Sequence, residues 1–167
     1  MRKIGECVLY GVAGVMTIVD IREESIGDVS RKYYVLRSAR SRSESLTFVP
    51  ADNERLVGAM RPLLTREELE SLAASAKDIE PLEWIEANRV RSEAFKAIME
   101  SGDRVGMIAM IKAINENGIR RGEEGRKNFL ADETAKQKAL KLLSSEIAIV
   151  RGITDEEATI IADNLAK

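Results

Sequence analysis

The sequence predicts an α+β chain, with a small antiparallel β-barrel first and an all-α helical bundle after it. Two observations carry this. Between Ile4 and Leu64 the apolar residues come in short alternating or β-branched runs separated by Gly, Asp and Ser, the pattern of strands and tight turns. From Thr65 onward they recur at three-to-four spacing behind helix-capping signals, the pattern of amphipathic helices. At 167 residues the chain fits one larger domain or two small ones, and the switch from period two to period 3.6 favours two. The expected division is a β domain over 1–64, a connecting helix and linker over 65–80, and a helical domain over 81–167.

The strands are read in order. Cys7 to Tyr10 form the first, and Gly11 and Gly14 supply the freedom for a reversal. Val15 to Ile26 form a second, with Met16, Ile18, Asp20 and Arg22 on one side and Val15, Thr17, Val19 and Ile21 on the other. Its polar end, Arg22 to Ser25, projects past the core. After a turn at Gly27, Asp28 and Ser30, Lys32 to Arg37 carry strand-favouring Tyr33, Tyr34, Val35 and Leu36. Leu46 to Val49 make a fourth strand that Pro50 can end, since proline cannot donate to a ladder. Ala59 to Arg61 are expected to add a short closing strand. Such a count of short strands within about 60 residues suits an SH3-like or Tudor-like barrel.

Among the helices, Thr65-Arg-Glu-Glu68 is a capping box opening a helix to about Ala76. Pro81 disfavours helical geometry just before it and marks the expected domain boundary. A helix is then expected from Glu83 to about Glu100, burying Ala87, Val90, Ala94, Phe95 and Ile98. Asp103 caps a helix to Asn115, Gly118 to Lys127 form an exposed mobile connection, and Asp132 caps a longer helix closed by Arg151 and Gly152. Thr154-Asp-Glu-Glu157 opens the last helix. Short loops of this kind join antiparallel neighbours.

Composition narrows the function classes. Histidine is absent, which removes the commonest general base and metal ligand. Cys7 is the sole cysteine, so neither an internal disulfide nor a cysteine-rich zinc site is available. No phosphate-binding loop follows a strand, and the Glu23/Glu24 and Glu123/Glu124 pairs read as solvated surface rather than an acid and a base. The expectation is a non-enzyme with no catalytic residues, metal or cofactor. Every apolar run falls short of membrane-spanning length, so a cytoplasmic protein with no membrane partner is expected.

With 26 basic against 28 acidic residues, any contact with nucleic acid must come from local patches. The densest is Arg120, Arg121, Arg126 and Lys127, and between Glu86 and Lys141 there are 12 basic and 9 acidic residues. Trp84, the one tryptophan, precedes Asn88, Arg89 and Arg91. Read as one helix, Trp84, Asn88 and Arg91 share a face. Two readings stand there: an aromatic packing the linker on the bundle, or an exposed wedge beside cations, as minor-groove proteins use.

The segments IGECVLYGVAGVMTIVDI, KYYVL, FVPADN and MRPLL resemble the N-terminal module of the CarD/CdnL family of bacterial transcription regulators, a module shared with the polymerase-interacting domain of the transcription-repair coupling factor. The tryptophan-led helix ending in SerGlyAsp and the later LeuLeuSerSerGlu are similar to that family's C-terminal domain. The resemblance implies a Tudor-like barrel that docks on the RNA polymerase β subunit, partly by lending an edge strand to a neighbouring sheet. On this chain it implies contact through Leu46, Thr47 and Phe48, with Arg22 and Glu24. It implies further that the helical domain touches promoter DNA weakly and without sequence specificity in the minor groove, through Trp84, Asn88, Arg89, Arg91, Arg120, Arg121, Arg126 and Lys127. The function so implied is modulation of open-complex stability by a monomer. The alternative is a protein–protein adaptor on RNA polymerase that does not bind DNA.

Overall fold

The alternating segments of the N-terminal part form a five-stranded antiparallel sheet in the computed structural model, which describes residues 1–167. Strands β1 (Cys7–Tyr10), β2 (Val15–Ile26), β3 (Val29–Ser38), β4 (Leu46–Pro50) and β5 (Met60–Pro62) take the spatial order β4-β3-β2-β1-β5. Gly14, at φ 80°, turns β1 into β2 in a backbone region that side chains disfavour. Val8, Met16, Ile18, Tyr34, Leu36, Val49 and Met60 form the core on one face. The expected strands are all present. Only their ends move, β3 beginning at Val29 and β5 being displaced by one residue.

The side-chain alternation of β2 differs from the expected one. The pairing with β3 slips between Ile18 and Asp20, leaving Val19 as the extra residue of a bulge. A bulge inverts alternation beyond it. Ile21, opposite Tyr34, therefore packs against the core with Ile18, while Asp20 and Arg22, opposite Val35 and Tyr33, share the outer face. A short helix absent from the expected elements, α1 (Glu54–Gly58), is capped by Asn53, whose Oδ1 accepts from Leu56 N at 3.1 Å. Leu56 and Val57 pack against the core, and α1 touches both β4 and β5. Those two strands do not pair with each other, so the sheet keeps two edges.

The chain divides at Leu63/Leu64 rather than near Pro81. The physical reason is the burial of α2 (Arg66–Ser75): Leu69 and Ala76 belong to the core of the helical unit. The helix expected as a connection is thus part of that unit. It opens with the expected Thr65 capping box.

Residues 79–87 contain no helix, and α3 (Asn88–Ser101) begins five residues later than expected. The bundle satisfies this strap's backbone instead. Leu82 N donates to Ala109 O at 3.1 Å, and the buried Lys112 Nζ donates to Ala76 O and Ile79 O at 2.7 and 2.8 Å. The buried stripe of α3 is Arg91, Phe95 and Met99, with Val90 exposed.

Helix α4 runs Arg104–Glu123, so the expected mobile connection is helical as far as Glu123. Gly118 is where α4 meets Asn128, since a Cβ there would lie 2.6 Å from Asn128 Nδ2. Helices α5 (Leu130–Arg151) and α6 (Asp155–Leu165) complete the unit, around Met107, Ile108, Ile111, Ile114, Leu143 and Ile147. The Asp103 cap on α4 and the Thr154 capping box on α6 are formed as the sequence predicts. Asp132 is not the cap of α5. Phe129 holds that position, and Asp132 is buried in the first turn. No helix is long and apolar enough to cross a membrane.

Candidate functional site

On the first unit, the outer face of β2, β3 and β4 gathers Arg22, Tyr33, Leu46 and Phe48. Phe48 is 43% exposed despite its size. It packs edge-on against Tyr33 with ring centroids 6.2 Å apart, and the Arg22 guanidinium lies 5.7 Å from its centroid. Asp20 orients Arg22 by accepting from its Nε at 3.0 Å, and Glu24 lies 3.8 Å from the other arm. The bulge at Val19 makes this cluster, because it brings Asp20 and Arg22 to the side carrying Phe48. Tyr33 is the residue that sequence reading missed. Its diagonal relation to Phe48 across β3 and β4 depends on the register.

The backbone of β4 faces outward at defined positions. Ala51 N donates to Lys32 O at 2.9 Å, which fixes the phase of the alternation between bonded and non-bonded pairs. Two residues back at a time, Val49 and Thr47 fall in the bonded positions opposite Tyr34 and Leu36. Leu46, Phe48 and Pro50 fall in the others, with their main-chain groups on the open edge. Proline suits that place, since it has no N–H to leave unpaired. Of the five residues nominated here, Arg22, Glu24, Leu46 and Phe48 lie on or beside one face, and Thr47 alternates to the side of Val49.

On the helical unit the nominated residues do not form one surface. Arg91 is only 1% exposed, so it is withdrawn from any DNA contact. Its Nε and Nη2 donate to Asp132 at 3.0 and 2.9 Å, its Nη1 to Ile85 O at 2.8 Å, and its Nη2 also to Asn88 Oδ1 at 2.8 Å. Trp84 lies in the strap before α3, not in a helix. It is half-buried against the core, edge-on to Phe95 at 6.5 Å, with the Arg91 guanidinium 4.5 Å from its ring. This arrangement favours the packing reading of Trp84 over the exposed wedge. Because Trp84 lies outside any helix, it and Arg91 share no helical face and come together through stacking instead.

The remaining cations are exposed, apart from the half-buried Arg121, but mostly engaged. Arg89 pairs with Glu93 at 3.2 Å. Arg120 lies 3.7 Å from Glu86 and donates to Asn117 Oδ1. Arg121 stacks 4.1 Å over Phe129 and donates to Lys127 O, and Arg126 pairs with Glu124. Lys127 carries its charge into solvent without an ion-pair partner. Beside this cluster, Leu130 at the start of α5 is 83% exposed, a feature with no signal in the helical periodicity.

A small antiparallel sheet with an aromatic-bearing open edge has the form of a protein-docking module. Residues 3–64 match the family described as the CarD-like/TRCF RID domain, and the first unit is similar to the RNA-polymerase-interacting domain of that family. From Thr65 onward the chain lies outside the match. No curated protein matches the chain.

Proposed function

We propose that the chain is a non-enzymatic transcription regulator that docks on the RNA polymerase β subunit through β4 and modulates open-complex stability through its helical unit. The observation that carries this is the open edge of β4 in a CarD-like/TRCF RID domain, with Leu46 and Phe48 offering outward backbone beside the Arg22, Tyr33 and Phe48 cluster. A partner strand added there gains main-chain hydrogen bonds, and the exposed aromatic selects its side chains. Pull-down of polymerase by the full chain tests it. Phe48→Glu places a charge at the centre of the contact and is expected to abolish capture while leaving the fold intact. Capture at the unmodified level would sink the docking reading.

Promoter DNA contact by the helical unit would rest on Arg89, Arg120, Arg121, Arg126 and Lys127. Because neighbouring carboxylates neutralise most of these charges, few phosphates are engaged, and the contact is weak and lost at moderate salt. The same pairing, with Arg91 buried and Trp84 packed, favours a second reading, an adaptor on polymerase whose helices bind another protein. Titration of the full chain with promoter DNA between low and moderate salt separates the two. The adaptor reading predicts no binding at any salt concentration.

A further inference from the structure

We propose that Ser43 is a phosphoacceptor for an arginine-directed serine/threonine kinase, and that its phosphorylation weakens docking at β4. The second half rests on the docking reading above.

The loop between β3 and β4 reads Ala39-Arg-Ser-Arg-Ser-Glu-Ser45. Residues 40–45 are exposed, and 41–45 belong to no regular element, so the segment can enter a kinase cleft extended without unfolding the sheet. Three serines alternate with charged residues there, and their surroundings differ. Ser43 has Arg40 three residues before it and Arg42 immediately before it. Ser45 has Arg42 at the first of those places but Glu44 at the second, and Ser41 has Ser38 where Ser43 has Arg40. Kinases that select arginine do so by pairing its planar fork with carboxylates. Only Ser43 offers both guanidinium groups.

The local bonds say what the modification would alter. Ser43 Oγ donates to Ser45 Oγ at 2.9 Å and accepts from Ser45 N at 3.2 Å, so this hydroxyl organises the residue just ahead of Leu46. In the transfer, Ser43 Oγ forms a bond to the γ-phosphorus of a nucleoside triphosphate, and the bond from that phosphorus to the β-bridging oxygen breaks. The nucleoside diphosphate leaves with the electron pair, and the hydroxyl proton passes to the kinase's catalytic carboxylate. The product loses its donor and gains a charge near −2. Three residues of chain span at most ~10 Å, about one Debye length at physiological salt, so Leu46 on the open edge feels that charge. A hydrated dianion beside the edge opposes the desolvation that strand addition requires.

The test incubates the full chain with the catalytic domain of an arginine-directed kinase and MgATP, followed by intact mass and fragment localisation. One phosphoryl group at Ser43 is expected, absent in Ser43→Ala and added at least ~10-fold more slowly in Arg40→Ala. Modification elsewhere, or an unchanged rate in Arg40→Ala, overturns the assignment. The phosphorylated chain is then expected to capture polymerase ~10-fold more weakly than the unmodified one. Phe48→Glu run alongside separates the two ideas. If Phe48→Glu loses capture while the phosphorylated chain keeps it, regulation is overturned and docking stands. If Phe48→Glu keeps capture, docking at β4 fails, and with it the regulatory half, whatever the mass measurement shows.

Discussion

Arg91 and Asp132 form an ion pair at 2.9 Å that is almost wholly withdrawn from solvent, with the rings of Trp84 and Phe129 lying 4.5 and 5.2 Å from the guanidinium carbon. The pair ties together the strap, α3 and the first turn of α5. Its carboxylate also lies where the helix N-terminus favours negative charge. Removing one member leaves the other buried without compensation, which costs about 3–5 kcal/mol. Arg91→Ala is therefore expected to destabilise the helical unit by that amount in chemical denaturation. Arg91→Met combined with Asp132→Leu recovers most of the loss, because an apolar pair of similar volume leaves no unpaired charge. A residue serving mainly DNA would show the reverse, near-normal stability in Arg91→Ala.

Trp84→Ala tests the same node from its aromatic side. Trp84 is half-buried against Phe95 and Arg91. The expected loss is about 2–3 kcal/mol, below that for a fully buried tryptophan, with part of it from the stacked cation. Trp84→Phe keeps the ring contact and should lose about 1 kcal/mol. Thermal unfolding checks both, and stability unchanged in Trp84→Ala would return the residue to the surface.

The contrast between what was and was not legible follows from these residues. Strand positions and the caps at Thr65, Asp103 and Thr154 were readable because each depends on neighbours within a few positions. The role of Arg91 was not, because its partner is 41 residues away and a cation at that spacing reads as surface. Periodicity placed Val90 inward where Arg91, Phe95 and Met99 point to the core, because a stripe drawn through apolar residues alone passes over a buried arginine. At the docking face, Phe48 and Arg22 were nominated through resemblance. Their meeting with Tyr33 needed the bulge at Val19, which alternation alone cannot place.

Glu146 offers a third test, at the first residue of the helical unit. Its buried carboxylate accepts from Arg104 Nε and Nη2 at 3.0 and 2.6 Å and from Leu64 N at 2.8 Å. Glu146→Ala should destabilise the unit by about 3–5 kcal/mol. Glu146→Gln keeps an acceptor for Leu64 N and should lose less, about 1–3 kcal/mol. Hydrogen exchange distinguishes the two: protection of the Leu64 amide should fall in the alanine variant and persist in the glutamine one.

A pH dependence follows from Glu133 in α5. Partial burial alone would raise its carboxyl, but hydrogen bonds from Asn128 and Lys136 and the lysine's charge at 3.1 Å outweigh that and hold it below the ordinary glutamate range. A carboxyl lowered in the folded state stabilises folding fully above the unfolded value of ~4.3, and this contribution is lost as pH falls through the folded value. Glu6 in the first unit behaves alike: burial raises it, and Lys3 N and Arg2 more than reverse the effect. The stability difference between the native chain and Glu133→Gln is therefore expected to be constant from neutral pH down to about 5, then to shrink as acid protonates the folded carboxyl. Denaturant titrations across that range, followed by helical signal, read it directly. A difference that stays flat through the acid limb would mean that Glu133 titrates alike folded and unfolded.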